Sequence, residues 1–139
     1  MSGLSERPAA THLRIARPVS QLERSAAMYC RGLGLTEVGR FEDHDGYDGI
    51  MLGSPGLAWH FEFTRHRHHP VGPAPTREDL IVVYVPDPCA WKAACLLAVE
   101  AGFVEVAPSN PYWQTHGRTF EDHDHYRIVI CRDAWTATG

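Results

Sequence analysis

One five-residue pattern occurs twice in this chain, and it limits the fold more than any other feature. Gly34-Leu35-Thr36-Glu37-Val38 matches Gly102-Phe103-Val104-Glu105-Val106, 68 residues further on, and Pro18 matches Pro86 at the same offset. A repeat of this kind is one supersecondary unit used twice, because a single copy leaves a sheet face uncovered. The rest of each half can be read around these anchors.

In the first half, Thr11 to Ala16 alternates polar and apolar residues, which predicts a strand ended by Pro18. Ser20 and Glu23 have the spacing of a capping box. Leu22, Ala26, Tyr29 and Leu33 then fall at helical spacing, and Gly32 and Gly34 are expected to stop the helix. Leu35 to Arg40 and Tyr47 to Leu52 read as a hairpin turning at His44-Asp45-Gly46, and Trp59 to Thr64 as a fourth strand. In that strand Trp59, Phe61 and Phe63 face one way, as core, and His60, Glu62 and Thr64 the other.

The second half repeats the order. It has a strand at Leu80–Val85, a helix at Pro88–Ala101 and a strand at Phe103–Val106. A loop at 107–114 precedes a final hairpin, Arg118–Glu121 and Tyr126–Cys131. The predicted class is α+β: two tandem βαβββ modules forming a curved mixed sheet around a cleft. Residues 1–10 are expected to be a flexible tail. Residues 11–135 form a single domain, with module 1 at 11–64, a linker at 65–78 and module 2 at 79–132. Phe-Glu-Asp-His-Asp occurs at both 41–45 and 120–124, which reads as the same turn chemistry used in different hairpins.

Composition excludes some functions. A net charge of −4 lacks the basic footprint that nucleic acid or an anionic membrane surface requires. No apolar run reaches the roughly 20 residues of a membrane span. The four cysteines form no CxxC pair and are expected to be reduced, mostly buried thiols of a cytoplasmic protein. The linker histidines His66, His68 and His69, and the turn histidines His123 and His125, are expected at the surface.

The duplicated pattern resembles the vicinal-oxygen-chelate superfamily, which includes glyoxalase I, bleomycin-resistance proteins and extradiol dioxygenases. The resemblance rests on His12-Leu13-Arg14-Ile15-Ala16-Arg17-Pro18, Leu22-Glu23-Arg24-Ser25 with Tyr29, Gly32-Leu33-Gly34-Leu35, His60-Phe61-Glu62-Phe63, and the stretch from Glu121 to Val129. It implies a divalent metal (Zn, Ni, Fe or Mn) held by the first and last strand of each module. The positions implied are His12, Glu62, Leu80 and Val129. Leu80 and Val129 cannot ligate, so only His12 and Glu62 remain as metal candidates, with His60 a possible third donor. Without a two-residue insertion near Pro18, the first position would be Arg14.

Two readings follow. One is a metal-free cleft in which Arg14 and Glu62 form an ion pair where relatives hold metal. Such a cleft binds a small aromatic or amphipathic molecule through His12, Arg14, His60 and Glu62, with Tyr112 and Trp113 on the proline-fixed 107–114 loop as further contacts. The other is a metal-dependent lyase, isomerase or dioxygenase using His12 and Glu62. Glu62 and His60 are the catalytic candidates for proton transfer. The partner expected is a small molecule. A homodimer is also expected, with the apolar strand Leu80–Val85 available for its interface.

Overall fold

Alternating side chains build two sheets, and the helices fix which face of each is buried. The structure is a computed structural model in which residues 8–137 are described. Residues 1–7 of the expected tail lie outside the described residues. Module 1 runs β1 (Leu13–Pro18), α1 (Leu22–Leu33), β2 (Thr36–His44), β3 (Tyr47–Gly53) and β4 (Trp59–His66). Module 2 runs β5 (Leu80–Tyr84), α2 (Pro88–Glu100), β6 (Val104–Val106), α3 (Tyr112–His116), β7 (Gly117–Glu121) and β8 (Arg127–Cys131). Each module forms its own four-stranded mixed sheet, ordered β1-β4-β3-β2 and β5-β8-β7-β6. The first strand of each module pairs in parallel with the last, across the helix crossover.

The expected alternation in β4 is observed. Phe61 and Phe63 are buried and meet Tyr29 of α1, the Tyr29 and Phe63 rings standing 4.9 Å apart edge-to-face. Tyr29 also meets Phe103 of the second module at 5.1 Å. Helix α1 is therefore buried on two sides, and both modules share one core with Ile128, Ile130, Phe120 and Ala98.

Several local expectations are corrected. Strand β1 spans Leu13–Pro18, two residues later than the alternation suggested. Ser20 does not cap α1. Gln21 stands at the N-cap without a side-chain bond, and Glu23 pairs instead with Arg40. Ser20 donates both its N–H, at 3.0 Å, and its hydroxyl to Asp124, so a long-range carboxylate displaces the local cap. Gly34 does end the helix, at φ 69°. Gly32 lies inside the last turn, where a Cβ would fall 2.9 Å from the Phe103 ring, so its smallness serves module packing. Helix α2 takes the cap that α1 lacks: Asp87 accepts from Ala90 N–H at 2.8 Å, with Pro88 in the first turn. The expected loop at 107–114 contains the start of α3.

The largest correction concerns His123. Its side chain is only 6% exposed, because the β7–β8 turn is pressed against α1. Its Nε2 lies 2.9 Å from the Ser25 hydroxyl. The neighbouring Asp122 accepts from the Tyr29 hydroxyl at 2.7 Å and from the backbone N–H groups of Asp124 and Tyr126. Arg17 donates to the Tyr29 oxygen at 2.7 Å and stacks over the Tyr126 ring at 3.8 Å. Burial and the adjacent carboxylate push the Tyr29 phenol far above its ordinary range, so it stays a donor. A polar seam thus joins the modules beside their apolar core. His125, by contrast, is exposed as expected.

Candidate functional site

Pairing in register places the candidate residues together. Arg14 stands opposite His60 in the β1–β4 ladder and Ala16 opposite Glu62, so the side chains of Arg14, His60 and Glu62 rise on the sheet face away from α1. The Arg14 guanidinium reaches Glu62 at 2.7 Å through Nη1 and donates from Nε to His60 Nε2 at 3.1 Å. His60 Nδ1 meets His12 Nε2 at 2.7 Å. Glu62 is 8% exposed, whereas half of the Arg14 side chain remains open to solvent. The four residues form a continuous chain: carboxylate, guanidinium, imidazole, imidazole.

The hydrogen bonds fix the tautomers. Because Arg14 can only donate, His60 Nε2 must accept, so neutral His60 carries its proton on Nδ1 and donates it to His12. Burial, and then the positive field of Arg14, hold the His60 pKa below its ordinary value, outweighing the pull of Glu62. The sign follows. His60 binds its proton less readily folded than unfolded, so its contribution to stability is complete above the unfolded pKa and is lost as pH falls through the folded one. Histidine ring NMR is expected to show His60 titrating below a free histidine, with His60 Nδ1 protonated at neutral pH. A His60 midpoint at or above that of a free histidine contradicts this geometry.

These groups do not suit the divalent metal that the superfamily pattern implies. The ladder places Leu80 opposite Arg127, two residues before Val129, just as Arg14 stands opposite His60, two residues before Glu62. With Glu62 matched to Val129, the counterpart of Leu80 is Arg14 and not His12. Three of the four implied positions are therefore a cation and two hydrocarbons. The remaining carboxylate is already engaged by the guanidinium. Among the described residues, no group of three or more His, Cys, Asp or Glu side chains is arranged to hold a metal ion.

The other candidates lie elsewhere. Tyr112 is exposed and stacks on His116 at 4.1 Å. Trp113 is half-buried and lines a cavity of about 120 Å3 in module 2, to which none of His12, Arg14, His60 and Glu62 contributes. Residues not anticipated from the sequence share that cavity: Thr119 and Arg127, both almost fully buried. An arginine opening the otherwise apolar run Ile128-Val129-Ile130 was the one signal for them. His66 and His69 stack at 4.0 Å; desolvation, and then the neighbouring His69 and His68, hold the His66 pKa low. All four cysteines are free; Cys95 and Cys131 are buried, Cys30 is partly covered and Cys89 is exposed. No helix among the described residues is long and apolar enough to cross a membrane.

Comparison with known proteins agrees with this architecture. Residues 13–64 match the family model of the YycE-like N-terminal domain, and residues 78–132 that of the YycE-like C-terminal domain. The protein YycE of Bacillus subtilis is 41% identical over 121 residues, 87% of each chain. The crystal structure of a B. subtilis YycE protein of unknown function superposes with a TM-score of 0.84, at 38% identity and 94% coverage of both chains. Glyoxalase I of Leishmania major superposes at 0.69 with 16% identity, covering 91% of this chain and 88% of its own. The fosfomycin resistance protein FosX of Mesorhizobium loti superposes at 0.67 with 13% identity, covering 87% and 90%. At those identities the last two show the fold alone. The two-module chain, with an arginine–glutamate pair where the superfamily pattern implies metal, belongs to the YycE-like family.

Proposed function

We propose that this protein binds a small aromatic or amphipathic molecule on the face of the first sheet that carries His12, Arg14, His60 and Glu62, without a tightly bound metal. The Arg14–Glu62 ion pair carries the reading. A guanidinium 2.7 Å from the carboxylate takes the place of a metal charge, and it keeps an exposed edge that can donate to a ligand. His60 and His12 add ring surface, and His60 adds one tunable proton. An anionic or acceptor group on the ligand would meet Arg14, and its apolar part the flanking sheet surface.

The opposite, apolar side of β1 is also open in a single chain, and we infer that a second copy covers it. The free edge strands β1 and β5 border an apolar groove of about 600 Å3 that includes Leu13, Ile15, Trp59 and Phe61. Leu13, Ile15 and Tyr84 are each more than 40% exposed, more apolar edge than a monomer ordinarily leaves in water.

A catalytic reading uses the same residues. Glu62 stands 2.7 Å from the Arg14 guanidinium and His60 accepts a hydrogen bond from it, so a proton lost from the ligand could pass to Glu62, or to His60 once Arg14 turns to the resulting anion. Glu62→Gln separates the two: binding without turnover in the wild type supports a binding protein, whereas turnover lost only in the variant supports catalysis.

Native mass spectrometry of the protein as isolated tests the main reading. The expected result is a dimer, a co-purified organic molecule or one captured from an aromatic metabolite set, and less than about a tenth of an equivalent of metal per chain. A stoichiometric transition metal removed only by strong chelators would overturn it.

A further inference from the structure

We propose that the second module contains a separate site for a carboxylate group, built from Arg127, Thr119 and Asn110. The cavity lined by Trp113 holds about 120 Å3, room for roughly four water-sized groups or one carboxylate with a short stem. Two of its walls are unusual. Thr119 is 2% exposed and its hydroxyl has no hydrogen-bond partner, so its desolvation is uncompensated by any group of the protein. Arg127 is 5% exposed and is held rigidly: Nε donates to Glu121 at 2.9 Å and Nη1 to the Ala107 carbonyl at 3.1 Å. Its Nη2 is committed to nothing among the described contacts.

The third wall supplies a donor by elimination. The Asn110 carbonyl oxygen accepts from the Tyr112 N–H at 3.0 Å, which leaves the side-chain NH2 free. Nearly buried Arg127 and Thr119, with exposed Asn110 at the rim, give one small space a guanidinium, an orphaned hydroxyl and an amide, a set that calls for an acceptor with two or more oxygens. A carboxylate fits that demand in size and in charge-assisted bonding. Arg77 adds a second positive charge at the wall. Glu78, also at the wall, counts against larger and more highly charged anions such as phosphate. The indole of Trp113 supplies the apolar surface for a short stem. The cavity also includes Leu80, the module 2 counterpart of Arg14, so it lies on the module 2 face that matches the histidine face; it shares no residue with that face, and either could fail without the other.

The test uses the full-length wild-type chain with sodium acetate as probe, at fixed ionic strength, read by the Trp113 indole cross-peak in nitrogen–proton NMR. Acetamide has the same shape without the charge. The expected result is a saturable shift with acetate, at a Kd in the millimolar range or tighter, and none with acetamide. Tighter binding of butyrate than of acetate identifies the carboxylate end of a longer ligand, and the reverse order a free small carboxylate. Thr119→Val is expected to weaken acetate at least tenfold while raising Tm, because it removes an orphaned hydroxyl from an otherwise apolar place. Thr119→Ser restores binding. No saturation up to about 0.1 M acetate, equal shifts with acetamide, or unchanged affinity in a well-folded Thr119→Val overturns the site.

Discussion

Replacing Asp122 with alanine is expected to destabilise the fold by about 3–5 kcal/mol, a fall in Tm of about 10 °C or more for a chain of this size. The carboxylate is 2% exposed and has four partners: the Tyr29 hydroxyl, the N–H groups of Asp124 and Tyr126, and the Arg17 guanidinium at 3.5 Å. Two of these partners hold the β7–β8 turn in shape, and two attach that turn to β1 and α1. Truncation strands Arg17 as a nearly buried cation whose Nε already lacks a partner. It also frees a turn in which His125 holds φ at 66°. Tyr29→Phe removes one bond to the same carboxylate and is expected to cost only about 1 kcal/mol. A double-mutant cycle should show strong coupling, since both residues serve one network. Asp122→Ala within about 0.5 kcal/mol of wild type would show that the modules are held by the apolar contacts alone.

The pentapeptide Phe-Glu-Asp-His-Asp shows where reading the sequence stops. At 41–45 its Asp43, His44 and Asp45 are exposed around an ordinary hairpin turn. At 120–124 the same residues include Phe120, Asp122 and Asp124 at 7% exposure or less. Nothing local separates the two copies. The difference is α1, which lies against the second copy and brings Ser20, Ser25 and Tyr29 from about a hundred residues away. The misplaced cap has the same origin, since Ser20 serves Asp124 and not its own helix. Short-range signals fared better where the sheet itself imposes them. Period-two alternation in Trp59–Thr64 separates core from site face, and the family resemblance implies that the first and last strand of a module contribute to one site. Arg14, His60 and Glu62 were therefore legible as neighbours. The exact partner of Leu80 was not, because β1 starts two residues later than its alternation suggests and exchanges His12 for Arg14 at that position. The Trp113 cavity was half legible. The proline-fixed aromatic loop was visible in the sequence, but Thr119 and Arg127 acquire meaning only once β7 and β8 pair beneath it.

Arg14→His is expected to give the first module a metal affinity that the wild-type chain lacks. The substitution removes the guanidinium that occupies Glu62 and places an imidazole opposite His60 in the ladder, beside His12. Three nitrogen donors and a carboxylate on adjacent strands make the ligand set that Zn2+ or Ni2+ favours. The linker histidines would confuse the readout, so His66, His68 and His69 are replaced by alanine in both chains. At a Zn2+ concentration about 100 times Kd, the variant should gain about 2.7 kcal/mol of stability, while the wild-type background gains none. Adding Glu62→Gln to Arg14→His should remove most of that gain, because the amide is a poor ligand for either ion. Equal stabilisation of wild type and variant would mean that the arginine does not exclude metal, and the metal-free reading of the site would fall. No stabilisation in a well-folded variant would mean that Arg14 does not hold the position from which a superfamily ligand would act. The comparison turns on one side chain because Arg14 alone gives this face its two properties. It neutralises a nearly buried carboxylate, and it fixes the direction in which the His60 proton points.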